Sequence, residues 1–288
     1  MTTQAENAAG SDVFATVNYI RNRPDSDTHP LEFVTEVEEW STMQTTPGRE
    51  VQIRNARGIP TALDVEGFQL IPHASAVDDF DLIEADPSVD ARYDTEMIEL
   101  LTRVTGASRV VMLGGGKKRH GEGAVENLAP LTNAKPARYP HGDNTDESAT
   151  ALAELFDAIV DDLDLTDYSR YAIYNVWRCV TPPPQDIPLA VCDARSIKAS
   201  DEVTVTAVTA TSNVSEIRHD TTSYVYNPDH RWFYFPGMTR DEVVIFKSHD
   251  TDPDRARRVP HTAFDDPTCP PDTHTRASVE ARGLALFP

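Results

Sequence analysis

The sequence predicts an α+β fold that is rich in β-structure: a double-stranded β-helix of the jelly-roll or cupin kind with flanking helices. Three observations lead there. Short runs rich in Val, Ile, Tyr, Phe and Thr, each bounded by turn residues, fill the later part of the chain. Only two stretches carry helical periodicity, and both precede most of those runs. The 21 prolines concentrate between the runs, as in "TPPPQD" and "DDPTCPPD", where a residue with no N–H to give a ladder ends a strand. Many short strands after a more helical first half suit a roll with helices on its outside.

Taken in order, "MTTQAENAAGSD" has neither a basic start nor an apolar stretch, so it is no signal peptide and reads as a disordered tail over residues 1–12. No repeat or low-complexity linker divides the remaining chain, which makes residues 13–288 one expected domain. "DARYDTEMIELLTRVTGA" (90–107) sets Tyr93, Met97, Leu100, Leu101 and Val104 at helical spacing, with Gly106 as a stop. "DESATALAELFDAIVDDL" (146–163) sets Ala149, Leu152, Leu155, Phe156 and Ile159 on one face, and its acidic start favours a helix N-terminus. Both helices are expected outside the roll, since each has one apolar stripe and one charged face. The expected strands are "RVVML", "YAIYNVWR", "IPLAVCD", "EVTVTAV", "TSYVYN", "RWFYF", "DEVVIF", "RRVPHTAF" and "SVEARGLALF".

Composition bounds the function. Of 288 residues 39% are hydrophobic and 25% charged, a globular balance. A net charge of −21 argues against nucleic acid or an anionic membrane as partner, because both repel it. No apolar run approaches the roughly 20 residues that span a bilayer. The cysteines, Cys179, Cys192 and Cys269, are an odd and scattered set that suits a reduced, cytoplasmic compartment and no standard thiolate zinc site.

The chemistry centres on "PHGDNT" (140–145). His141 and Asp143, two apart on a strand, share a face and can both point into a roll. Alone they are equally an ordinary polar turn, since Gly, Asp and Asn favour turns. A third ligand has to come from a distant strand. His29, His120, His274 and His73 sit in loop-like or strand-end sequence, while His219, His230 and His249 lie near strand ends and remain candidates. His261 is set apart by its surroundings: an apolar Asp-led strand, the His261 strand, then a strand holding Arg276 and Ser278. That order resembles the end of the double-stranded β-helix of 2-oxoglutarate oxygenases. Two histidines and a carboxylate form a facial triad that leaves three metal positions open, the arrangement used by iron(II). Arg276 and Ser278 share a face, and the planar fork of an arginine holds a carboxylate by two hydrogen bonds. Arg282 has the same parity; it is either an ion-pair partner of Glu280 or itself the anion anchor.

Longer motifs carry a family resemblance. "NVWRCVTPPPQDIPLAVCDARSI" (175–197), "RWFYFPGMTRDEVVIFKSHD" (231–250) and "RRVPHTAFDDPTCPPDTHTRASVEARGLALF" (257–287) resemble the hydroxylase/desaturase family of asaB and CmcJ, from about residue 14 to the end. The resemblance implies an enzyme that uses iron(II), 2-oxoglutarate and O₂ to hydroxylate or desaturate an unactivated C–H of a small natural-product intermediate. Carried over, His141, Asp143 and His261 would be metal ligands, and Arg276 and Ser278 would bind 2-oxoglutarate. Asn175, Arg178, Arg195, Trp177 and Trp232 would stand around the substrate. By strand alternation Asn175 and Arg178 face opposite ways unless a bulge or strand end intervenes. One departure is "GGGKKRH" (114–120), more glycine- and lysine-rich than the family pattern. It is no P-loop, because no Ser or Thr follows the lysine. Two other classes fit the same residues: a non-oxidative metal-dependent hydrolase or isomerase on a cupin-like roll, and a non-catalytic partner in a biosynthetic complex.

Overall fold

The computed structural model describes residues 11–21, 31–34, 45–121, 135–211 and 214–288 of the chain. In chain order the strands begin with β1 (Val13–Val17), β2 (Glu32–Val34), β3 (Arg49–Asn55), β4 (Phe68–Pro72) and β5 (Arg109–Met112). They continue with β6 (Lys117–His120), β7 (His141–Gly142), β8 (Arg170–Cys179), β9 (Leu189–Cys192) and β10 (Glu202–Thr211). The last are β11 (Val214–Tyr224), β12 (Trp232–Tyr234), β13 (Glu242–Asp250), β14 (His261–Ala263) and β15 (Ala277–Phe287). Two α-helices, α1 (Pro87–Thr105) and α2 (Asp146–Ile159), join them.

Nine strands form one sheet in the order β1-β3-β12-β9-β14-β7-β11-β10-β2. A second sheet runs β4-β13-β8-β15-β5, and β6 pairs with β15 beside it. Between the sheets Trp177, Val244 and Phe246 of the smaller one pack with Val191 and Phe233 of the larger and with Val259 just before β14. This two-sheet roll is the β-rich architecture that the runs of β-branched and aromatic residues predict.

The first half differs from the expectation of a helical start, because β1, β3 and β4 enter both sheets there. β1 pairs with β3, β3 with β12, and β4 with β13. Their sequences hide this: β3 (REVQIRN) buries only Ile53 fully and is otherwise charged or polar. The tail expected over 1–12 lies outside the described residues except for its last two. There Ser11 O accepts from Tyr234 Oη and the Asp12 carboxylate accepts from Asn55 N.

Helix α1 starts at Pro87, earlier than its periodicity suggests, because Asp86 caps it and Pro87 occupies the first turn. It ends where Gly106 adopts a left-handed φ of 74°. Its buried face (Val89, Tyr93, Met97, Leu100, Leu101) covers the outer side of the smaller sheet, against Val279, Ala281 and Ala285 of β15 and Val176 of β8. Gly283 is what lets the helix approach, since a Cβ there would lie 2.6 Å from Leu101 Cδ1.

Helix α2 departs from both its expected stripe and its expected place. Ala149 and Ala153 are its buried residues, with Leu152 and Phe156 half-buried, whereas Leu155 and Ile159 are exposed. It packs on Ile173, Leu284 and Leu286. By strand alternation these belong to the inner face of the smaller sheet, the face that also carries Arg282. Helix α2 therefore plugs one end of the roll, and its small alanines permit the close seat.

Gly283→Val should lower stability by about 1–3 kcal/mol through overpacking. The urea midpoint should fall while the spectroscopic signature of the folded state is kept; an unchanged midpoint would show that α1 does not seat on β15 at this point.

Candidate metal centre

β7 is only two residues long, but it lies between β14 and β11 and sets His141 opposite His261 in register. The two rings are 4.2 Å apart between centroids. A Cβ on Gly142, between His141 and Asp143, would lie 2.6 Å from Arg258 Cδ, so any side chain there would have to displace the buried Arg258. Two residues after Asp143, Thr145 caps α2 through a reciprocal pair of bonds with Ser148, so the loop enters a fixed helix. The His219 ring lies 2.7 Å from the Asp143 backbone carbonyl through Nε2.

The ligand atoms of His141, Asp143 and His261 all lie within 4.8 Å of one another, the only such group of three among the described residues. Both imidazoles are oriented by backbone. His141 Nδ1 is 3.0 Å from Tyr139 O, and His261 Nδ1 is 3.2 Å from Val259 O. A carbonyl oxygen only accepts, so the proton of each neutral ring sits on Nδ1, which leaves the Nε2 lone pairs turned to the cluster. Phe246 packs 4.6 Å from the His261 ring. Burial, then the nearby His261, pulls His141 down to about 3, which keeps it neutral at ordinary pH.

Asp143 is buried, and each of its oxygens receives a hydrogen bond from the smaller sheet. Asn175 Nδ2 donates to Oδ2 at 2.5 Å, and Arg282 Nη2 donates to Oδ1 at 2.8 Å. Burial works against the anion, but Arg282, then His261, His141 and Asn175, outweigh it and hold the carboxyl below its usual range. Arg282 also donates to Glu280 Oε1 at 2.7 Å. Burial would strip its proton, yet Asp143 and Glu280 push its pKa above the ordinary value. A carboxylate has about four lone-pair sites, so both oxygens can still face a cation while bonded this way. Two imidazole nitrogens and one fixed carboxylate suit a divalent first-row metal with open positions.

Arg276 differs from Arg282. It is buried, its Nη1 donates to Ser278 Oγ at 2.6 Å, and its charge lies over the Trp177 ring at 5.5 Å. Among the described residues its Nε has no hydrogen-bond partner and no carboxylate is ion-paired with it. Burial pulls its pKa down to about 10, so it stays cationic. A cavity of about 610 Å³ joins Arg276, Trp177, Glu280 and Arg282 to His141, Asp143 and His261.

Of the other residues expected around a substrate, Asn175 touches Asp143 and Trp177 lines the cavity. Three do not belong there. Arg178 points through the opposite face of its sheet, under α1. It meets Tyr93 Oη at 3.3 Å, and His73 O and Nδ1 at 2.8 and 2.7 Å. Strand alternation is the cause, because no bulge separates it from Asn175. Arg195 is half-exposed on a turn and pairs with Glu66 and Asp193 at 2.6 and 2.7 Å. Trp232 is buried on the other side of the larger sheet, where Nε1 donates to Tyr19 Oη at 2.7 Å. His249 and His230 stand apart from the cluster, each facing an aspartate: Asp146 at 3.4 Å and Asp201 at 3.2 Å. Sequence reasoning missed Arg119 and Arg138, which also line the cavity. A hint was there for Arg119 in "GGGKKRH", the departure from the family pattern.

The chain resembles known proteins along nearly all its length. A family profile described as "Oxidoreductase/YMDC permease-like domain" matches residues 17–286; no helix among the described residues is long and apolar enough to cross a membrane. The hydroxylase/desaturase efuI of Hormonema carpetanum is 31% identical over 96% of this chain and 95% of its own. The Fe(II)/2-oxoglutarate-dependent dioxygenase nvfI of Aspergillus novofumigatus is 29% identical over 78% of this chain and 77% of its own. Among solved structures, a variant of the iron and alpha-ketoglutarate-dependent endoperoxidase NvfI superposes with a TM-score of 0.81 at 25% identity. It covers 97% of this chain and 98% of that one.

The buried His249 gives a test of the packing behind this centre. Burial, then Arg258, lowers its pKa from 6.5 to about 4. The unfolded chain takes up that proton near 6.5 and the folded chain refuses it until about 4. The stability it contributes is thus present above 6.5 and lost as pH falls toward 4. His141 acts in the same direction. In metal-free protein, His249→Asn should flatten the fall of the urea midpoint across that window; an identical slope would place the imidazole in water.

Proposed function

We infer the chemistry of this centre from one premise: the chain belongs to the hydroxylase/desaturase family. On that basis the protein is an iron(II)- and 2-oxoglutarate-dependent oxygenase that hydroxylates or desaturates an unactivated C–H of a small natural-product intermediate. The observation that carries this reading is the pairing, in one cavity, of a His-Asp-His cluster with a buried arginine that has no carboxylate ion-paired to it among the described residues. Residues 13–288 act as one oxygenase domain, since β1, β3 and β4 of the first half pair with strands of the second. Its three free cysteines suit the cytoplasm.

His141, Asp143 and His261 hold the iron. Bound there with 2-oxoglutarate and O₂, iron(II) would supply the oxidising power for taking hydrogen from carbon, with succinate and CO₂ as coproducts. The residues do the rest. Asn175 and Arg282 fix the direction of the Asp143 carboxylate, and the Tyr139 and Val259 carbonyls fix the two rings. Arg276 and Ser278 hold the far carboxylate of 2-oxoglutarate. Arg282 is left to its two acidic neighbours, which already satisfy it. Trp177, stacked under Arg276, walls this end of the cavity and keeps water from the ion pair.

Anaerobic addition of iron(II) and 2-oxoglutarate should produce a weak visible charge-transfer band, which a non-oxidative hydrolase or isomerase would lack. His261→Ala should lose iron and keep the fold. A buried charge-assisted bond contributes about 1.5–3 kcal/mol, so Arg276→Ala should weaken 2-oxoglutarate binding at least tenfold while iron binding persists. Arg276→Lys should recover only part, having charge without the fork. If Arg282→Ala instead causes the large loss and Arg276→Ala none, the anchor is Arg282.

A further inference from the structure

We propose that His219 and Thr221 form a hydrogen-bond-accepting wall of the cavity, and that the substrate bears a hydroxyl group that donates to it. The proposal rests on the oxygenase reading and deepens it to a feature of the substrate.

Placement is the first support. β11 sets Ser223 opposite His141 in register. Thr221 and His219 follow at intervals of two, so they share the inner face with that ligand. Both line the cavity that reaches His141, Asp143 and His261, and both are half-buried. Ala207, opposite His219 on β10, lines it too, with a single methyl group beside the imidazole. By its place near a strand end His219 was a candidate third metal ligand. Its ring turns instead to the backbone of the ligand loop, where Nε2 lies 2.7 Å from Asp143 O.

The position of the protons is the second support. Thr221 Oγ1 donates to Val205 O at 2.9 Å, across the strand pair. A carbonyl oxygen only accepts, so His219 and Thr221 have each spent a proton on the backbone. In the neutral imidazole Nδ1 then offers a lone pair, and the threonine oxygen keeps its own. This tautomer is the reverse of the one in His141 and His261, whose Nδ1 protons face carbonyls. Two neighbouring side chains on one face of β11 thus present acceptors to the cavity and no donor.

Such a wall discriminates. A carbonyl, ether or carboxylate set against it would bring lone pairs to lone pairs and leave both acceptors dry, a cost that a hydroxyl avoids. The hydroxyl would stand beside the loop that carries Asp143, which holds the adjoining carbons next to the metal position. Ile217, the next residue of this face, and Phe33 supply apolar wall for the remaining skeleton.

The test uses 2-naphthalenemethanol and its methyl ether, fluorescent probes that differ by one donated proton. They are titrated at about pH 8, where an ordinary imidazole is neutral, into protein loaded with 2-oxoglutarate and diamagnetic zinc(II). The alcohol should bind about fivefold more tightly than the ether. The double variant His219→Phe, Thr221→Val should erase that preference. His219→Gln, which can donate to Asp143 O and still accept, should keep most of it. In nitrogen NMR spectra of the imidazoles, His219 should carry its proton on Nε2, and its Nδ1 signal should move further with the alcohol than with the ether. A proton on Nδ1, equal binding of the two probes, binding of neither, or a preference that survives the double variant would each overturn the assignment. Equal binding in every form, with stability lost on replacing His219, would reduce that residue to a brace for the loop after β7. Zinc(II) cannot perform the oxygen chemistry, so the titration stands apart from the oxygenase reading. An alcohol preference in a protein that forms no charge-transfer band with iron(II) and 2-oxoglutarate sinks the oxygenase and keeps the accepting wall; a band without the preference does the reverse.

Discussion

The rest of this site depends on one buried carboxylate. Taking Asp143 out of water costs several kcal/mol unless charge and hydrogen bonds replace the solvent. They come from a different sheet: Asp143 follows a strand of the larger sheet, while Asn175 and Arg282 project from the smaller one. The carboxylate therefore pins the two halves of the roll together where the histidines converge. Stability and site geometry share this constraint, because a shift between the sheets would strand an anion and a guanidinium at once.

The inner face of β15 shows how one strand serves several tasks. Arg276 stands just before it, in line with Ser278, followed by Glu280 and Arg282, then Leu284 and Leu286. The first pair stands ready for an anion, the second neutralises Asp143, and the third seats the alanines of α2. Helix α2 begins three residues after Asp143, so the strand that bonds the carboxylate also anchors the helix beyond it. Residues of opposite parity, Val279, Ala281 and Ala285, face α1. A period of two is enough to keep the polar interior and the outer apolar core apart.

Much of this was legible in the sequence where a local rule applied. Nine apolar runs became strands or parts of them, and Gly106 ended its helix. The two-residue spacing of His141 and Asp143 implied their shared face, but the choice of His261 over His219 or His249 needed the order of the final strands. What stayed hidden has physical causes. β7 is too short to show periodicity, and β3 and β6 are polar strands whose burial comes from tertiary pairing. Aromatic side chains fill cores as readily as pockets, so Trp232 could not be placed by composition. Arg178 went to the wrong side because a buried arginine suggests a ligand, when carbonyls of His73 and Arg240 satisfy it. The apolar stripe of α2 misled because its tight seat uses alanines and leaves Leu155 in water.

In this reading one cation is held by residues of the larger sheet while the smaller sheet holds the cosubstrate. Anomalous diffraction from crystals soaked without oxygen in manganese(II) and 2-oxoglutarate would show both at once. One strong peak is expected within bonding distance of His141, Asp143 and His261, with density for the distal carboxylate on Arg276 and Ser278. A peak elsewhere, no peak, or a distal carboxylate held away from β15 would refute that division between the sheets, and a carboxylate seated on Arg282 would contradict Arg276 as the anchor.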